Sequence, residues 1–228
     1  MKYIRRANER GTVDLGWLHS QHSFSFGHYY DPKHMGVSTL RVINEDKVQP
    51  GMGFDTHGHR DMEIISVVLS GALKHKDSRG NEFVVKAGDV QRMSAGSGIM
   101  HSEYNASTEE AAHFLQIWIQ PKFRGITPSY EQLSIAQKEV VTPLVTPTGG
   151  EGTLSINQDA KLSRVVLEQG QKLDLEVASG TGYLHIISGS ADAAEETFSS
   201  GDAFAIDAQE TVTLRAREHL VALWFELA

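Results

Sequence analysis

Short β-branched runs broken by glycine, proline and acidic turns recur along the whole chain, and residues 37–120 carry no helical period. Residues 40–46 predict a strand that runs into an acidic turn. Residues 63–70 are apolar at both parities, the pattern of a strand buried on both faces, and Gly71 closes it. Residues 73–77 and 82–85 flank Ser78-Arg79-Gly80-Asn81, a hairpin turn, and residues 90–93 and 112–120 add two more strands. Upstream, Phe24 and Phe26 alternate with serines, so a strand is expected there, ended by Asp31-Pro32. It covers a barrel edge or, if its aromatics turn inward, walls a ligand pocket.

Four of the six prolines (Pro121, Pro128, Pro143 and Pro147) interrupt this rhythm. A crossing segment is expected at 121–150, with one helical turn started by Thr127 and Pro128. Strand spacing then resumes to the end. Val67-Val68-Leu69-Ser70-Gly71 is echoed by Ile186-Ile187-Ser188-Gly189, and Gly88-Asp89 by Gly201-Asp202, which is how a duplicated barrel reads. The expected fold is all-β, with one barrel in 1–120, the crossing in 121–150 and a second, degenerate barrel in 151–228.

Composition narrows the partners. Twenty-one basic against 29 acidic residues give a net charge of −8, the wrong sign for a dominant phosphate-binding surface, so direct nucleic-acid binding is not expected. No run of about 18 apolar residues spans a bilayer, and the charged start, Met1-Lys2-Tyr3-Ile4-Arg5-Arg6, does not read as a secretory signal. The cytoplasm is the expected location. The absence of cysteine leaves only nitrogen and oxygen donors for a metal, and there are 11 histidines.

Two of these histidine stretches carry chemistry. His57-Gly58-His59 and His101-Ser102-Glu103 each place two potential ligands two residues apart, hence on one face of a strand, and each follows a glycine-rich bend. If the two strands meet, three imidazoles and a carboxylate converge as a divalent transition-metal site. Glu63 shares parity with His57 and His59 and competes evenly with Glu103 for the carboxylate position. The second half repeats neither pair, so the chemistry belongs to one barrel. His75 and His113 read as barrel-face residues.

The run from Gly51 through His57-Gly58-His59 and Glu63 to Gly71 resembles the first motif of the cupin superfamily. Gly88, Ser94-Ala95-Gly96, His101 and Asn105 resemble the second, with serine where proline is usual and a longer step from glycine to histidine. These departures, with His22-Ser23-Phe24-Ser25-Phe26, Tyr29-Tyr30-Asp31-Pro32 and Gly98-Ile99-Met100-His101-Ser102-Glu103-Tyr104-Asn105, are similar to bacterial pirin-family proteins of the quercetinase type. The resemblance implies a bicupin, two consecutive double-stranded β-helix (jelly-roll) barrels. It also implies a metal held by His57, His59, His101 and Glu103, iron(II) first and manganese, cobalt, nickel, copper or zinc as alternatives. Glu63 then falls outside the ligand set, orienting an imidazole or serving structure. The implied activity is flavonol 2,3-dioxygenation, cleaving the heterocyclic ring of a compound such as quercetin with dioxygen, Glu103 being both ligand and catalytic base. Two other readings compete: a metal-bearing regulator that binds a protein partner without physiological catalysis, and a cupin isomerase or sugar-binding module. The last calls for a more polar barrel lining than Ile65, Val67, Met93 and Phe114 suggest.

Overall fold

The computed structural model describes residues 1–150 and 152–228; the expected start of the second barrel, residue 151, lies outside them. The first part of the chain forms β1 (Tyr3–Arg5), β2 (Gly11–Asp14), β3 (Leu18–His22), β4 (Leu40–Val48), β5 (Gly53–His59), β6 (Glu63–Ser70), β7 (Ala72–Asp77), β8 (Glu82–Lys86), β9 (Asp89–Ser94), β10 (Ile99–Asn105), β11 (Ala112–Ile119) and β12 (Ser129–Ser134). There follow β13 (Val141–Thr146), β14 (Leu154–Ser155), β15 (Lys161–Leu167), β16 (Lys172–Leu175), β17 (Thr181–Ser188), β18 (Ser190–Ala193), β19 (Glu196–Ser199), β20 (Ala203–Asp207), β21 (Val212–Ala216) and β22 (Leu220–Leu227). Among the described residues each half pairs a seven-stranded with a four-stranded sheet.

The duplication holds strand for strand. The order β9-β6-β11-β4-β3 in the first large sheet answers β20-β17-β22-β15-β13 in the second, and β5-β10-β7-β8 answers β16-β21-β18-β19. The two halves also trade strands: β1 adds to the second sheet beside β20, while β12 adds to the first beside β9. The residues expected to start a helical turn instead lead directly into β12, because residues 129–134 are captured by the open backbone edge of β9. The acidic turn expected after residue 43 is likewise strand, since β4 is paired on both sides as far as Val48.

The large sheets face each other. Ile43, Ile65 and Ile117 from one side and Leu144, Leu162, Tyr183 and Phe225 from the other share one core. Alternation on β6 therefore sends residues 63, 65 and 67 to the junction and 64, 66 and 68 into the first barrel. Ile65 and Val67, expected to line the barrel, lie at the junction instead. A strand buried on both faces gives no parity signal by which to tell the two apart.

Buried polar ties lock the junction. The fully buried Arg92 donates to the Ser155 carbonyl at 2.8 Å and pairs with Glu131 at 2.6 Å, and Glu131 in turn accepts from Ser155. Phe24 packs here as well, against Tyr3 and Tyr183. Phe24 and Phe26 do not form the strand expected of them. Instead Ser25 Oγ both donates to the Asp31 carbonyl and accepts from the Asp31 amide, closing a loop that points the two rings apart.

The barrel interiors differ. The second is filled by one apolar cluster that includes Leu184, Ile186, Phe198, Phe204, Leu214 and Trp224. In the first, the apolar groups separate into two, Val68, Leu73, Val85 and Phe114 at one end and Ile64, Met93, Ala95 and Ile99 at the other. A polar layer lies between them.

Candidate metal centre

That layer follows from register. Ser66 on β6 stands opposite Gln91 on β9 and Gln116 on β11, and Gln116 stands opposite Asn44 on β4, which pairs with His22 on β3. These side chains form one rung across the large sheet's inner face. The small sheet answers with β10, whose buried positions alternate as Ile99, His101, Glu103 and Asn105.

Among the described residues β5 is the edge strand of the small sheet and pairs only with β10. His57 lies directly opposite His101, and an irregularity between His101 and Glu103 shifts the register so that Glu103 faces Phe54. Two glycines shape the approach. Gly51 turns the chain at φ +68°, and Gly53 lets β5 run so close to β10 that a Cβ there would lie 2.4 Å from the Glu103 carbonyl oxygen.

The rings of His57, His59 and His101 gather with centroids 4.5, 4.7 and 4.8 Å apart, and one ligand atom from each lies within 4.8 Å of the others. His57 Nδ1 donates to the Asp55 carbonyl at 2.7 Å, which leaves Nε2 as a lone pair facing His101 Nε2 at 3.1 Å. Burial, reinforced by the neighbouring imidazoles, lowers His59 to about 4 and His101 to about 3, so both rings are neutral at pH 7. Two neutral imidazoles whose Nε2 atoms meet head-on at 3.1 Å either share one proton or hold one cation between them. Two nitrogens each about 2.1 Å from one ion and about 90° apart are separated by about 3.0 Å, close to the spacing seen, so these residues fit a metal.

Glu103 adjoins this group through His101 without joining it: a second convergence consists of His75, His101 and Glu103. The Glu103 carboxylate is held by two amides, Gln91 Nε2 at 2.6 Å on Oε1 and Gln116 Nε2 at 2.7 Å on Oε2. Ser66 links the clamp, accepting from Gln91 and donating to the Gln116 carbonyl at 2.9 Å each, while Tyr130 Oη donates to Gln91 Oε1 at 2.9 Å. Each amide orientation is thereby fixed. Gln91, Ser66 and Gln116 carry no ligand spacing in the sequence; only Ser66 and Gln116, each flanked by apolar residues on both sides, stand out as polar positions within apolar strands.

Glu63 is elsewhere. Its buried carboxylate accepts from Ser94 Oγ at 2.9 Å and from the Asn157 backbone amide at 3.1 Å, on the junction face of β6. Of the two parts expected of it, orienting an imidazole or serving structure, these bonds fit the second, a tie between the halves: equal parity on two different strands does not put residues on one side of a barrel. His75, expected on a barrel face, is 1% exposed beside His101. His22 packs on Phe26, Phe26 on Trp118 at 5.2 Å, and Trp118 on His59 at 4.9 Å, so the N-terminal segment stands one ring removed from the centre.

Comparison with known proteins agrees with this architecture. Residues 3–119 match the Pirin family model, and residues 143–227 match that of the quercetinase C-terminal cupin domain. Quercetin 2,3-dioxygenase of Escherichia coli K12 is 42% identical over 228 residues, covering 100% of this chain and 99% of its own. The crystal structure of YhhW from Escherichia coli superposes with a TM-score of 0.96 at 41% identity, covering 99% of this chain and 97% of that one. A second structure, of the bacterial pirin YhhW in complex with nickel(II), gives 0.94 at 42% identity, with 99% and 98% covered. With both barrels matched along nearly their whole length, this chain belongs to the pirin family of bicupins.

Proposed function

We propose that the protein is a metal-dependent dioxygenase that cleaves the heterocyclic ring of a flavonol such as quercetin, acting in the cytoplasm. The observation that carries this reading is the convergence of ring nitrogens from three imidazoles, beside a buried carboxylate, in a chain 42% identical over its full length to a quercetin 2,3-dioxygenase.

His57, His59 and His101 hold the ion in this reading, with Glu103 as fourth ligand. Iron(II) is the proposed resident. Manganese, cobalt, copper and zinc suit the same donors, as does nickel, which the Escherichia coli relative binds. Such an ion supplies Lewis acidity that lowers the pKa of a bound flavonol hydroxyl. Glu103 is the base for that proton: its oxygens are buried, fixed by Gln91 and Gln116, and without a basic partner in any ion pair among the described residues. Trp118, edge to face with His59, and Phe26 beside it supply aromatic surface next to the centre for an aromatic substrate, and dioxygen is the co-substrate.

His57→Ala and Glu103→Ala are expected to abolish quercetin turnover, followed by loss of flavonol absorbance. His57→Ala is also expected to lower metal content measured by elemental analysis. Undiminished turnover in protein stripped of metal refutes the reading.

A further inference from the structure

We infer that the junction between the two halves holds a small monovalent anion, chloride, bound by Arg5, Ser23, Tyr183 and His185. Arg5 sets the problem. Of the two fully buried arginines among the described residues, Arg92 pairs with Glu131 at 2.6 Å, whereas Arg5 has no carboxylate partner. Its Nε donates to the Ser23 carbonyl at 2.9 Å and its Nη2 to Tyr29 Oη at 2.7 Å, which are neutral acceptors for two of its five N–H groups. A buried charge is rarely left without a counter-charge, because desolvating it alone is costly.

Register places the other groups around it. β1 pairs with β20 and β20 with β17, so Arg5, Ala203 and His185 form one rung, and Tyr3, Ala205 and Tyr183 the next but one along the strands. Tyr183, Ala203 and Ala205 belong to the junction core and Tyr3 packs against it, so by alternation Arg5 and His185 face the junction too. Two strand spacings, about 10 Å, separate the backbones of Arg5 and His185. Only the methyl group of Ala203 stands between them, and the span suits two long side chains reaching toward one shared ion. Ser23 comes from the opposite half: its carbonyl holds Arg5, and its neighbour Phe24 packs on Tyr183 at 5.8 Å.

The atoms left without partners identify the ligand. Ser23 Oγ, Tyr183 Oη and both ring nitrogens of His185 are buried and unpaired, a rare and costly condition. Each hydroxyl has a hydrogen to donate, and so has a neutral imidazole. The cations acting on Tyr183 are Arg5 and Arg10, and Arg10 is already paired with Glu45 at 2.9 Å. One uncompensated positive charge among unpaired donors calls for one negative charge; a water molecule would satisfy the hydroxyls but not the guanidinium. The four residues are 1%, 0%, 0% and 0% exposed, which encloses the position too closely for a phosphate or an organic acid and leaves a halide. Arg5 belongs to the traded strand β1, Ser23 to the first half, and Tyr183 and His185 to the second, so the ion ties the two barrels together. It owes nothing to the metal centre or to flavonol turnover.

The test is refolding of the full-length protein from urea into sodium chloride or sodium gluconate at equal ionic strength and equal metal content, so that an enclosed ion can exchange, followed by thermal unfolding. Tm should rise with chloride, by about 5–10 °C once chloride stands at about 100 times its dissociation constant. Arg5→Met keeps a buried stem without the charge, and its Tm should be the same in both salts. Tyr183→Phe removes one donor and should raise the chloride concentration required about tenfold or more. Equal Tm of the wild type in the two salts, a chloride effect that survives Arg5→Met, or an unchanged chloride requirement in folded Tyr183→Phe overturns the assignment. Should Arg5→Met fail to fold, wild-type crystals grown from bromide decide. They must show an anomalous peak between Arg5 and His185; a water molecule there, or no peak, is equally fatal.

Discussion

Asp46 offers the sharpest test of the barrel's electrostatics. It sits on β4 at 4% exposure, its Oδ1 without a hydrogen-bond partner. Burial pushes its carboxyl up to about 7, eased by Ser20 and reinforced by the negative charges of Glu103 and Glu45. A group with pKa 3.8 in the unfolded chain and about 7 in the fold binds more protons when folded, so it penalises folding increasingly as pH rises from 3.8 to 7. At about 1.36 kcal/mol per pKa unit, the ceiling on that penalty is about 4 kcal/mol at pH 8 and roughly 1.7 kcal/mol at pH 5. Asp46→Asn removes the charge and nearly keeps the shape. Its stability relative to wild type is therefore expected to be about 2–3 kcal/mol more favourable at pH 8 than at pH 5. For a chain of this size the difference corresponds to roughly 5–10 °C in Tm. Urea unfolding of metal-stripped wild type and variant at the two pH values measures it. A variant whose stability relative to wild type is the same at pH 5 and pH 8 refutes the picture of a neutral carboxylic acid held inside the barrel.

Gln116→Leu unclamps one oxygen of Glu103 and is expected to lower kcat about 10–100-fold with metal content retained; an unchanged kcat in a folded variant counts against the clamp. Glu63→Ala leaves the Asn157 amide and Ser94 without their acceptor, so unfolding free energy should fall by about 1–3 kcal/mol while turnover per folded molecule holds. His185 is buried with both ring nitrogens unpartnered, and burial lowers it to about 4. The unfolded chain then binds the extra proton between about pH 6.5 and 4, so stability falls as pH drops through that window, and His185→Leu should flatten the decline in an acid-titration melt.

The information that the chain carries residue by residue is local. Alternation, glycine turns and the i,i+2 spacing of His57 with His59 and of His101 with Glu103 are properties of a strand of period two, and they fixed the all-β class, the duplication and the two ligand pairs. Register and face were decided by tertiary structure. β6 is buried on both sides, so nothing in its run of apolar residues could tell that Glu63 faces the junction while Ser66 faces the metal centre. His75, Gln91 and Gln116 come from three strands, and only the pairing of β7 with β10 and of β6 with β9 and β11 brings them around Glu103. The strand exchange of β1 and β12 was equally invisible, because an open sheet edge accepts any strand that reaches it, and reach is set by the completed fold.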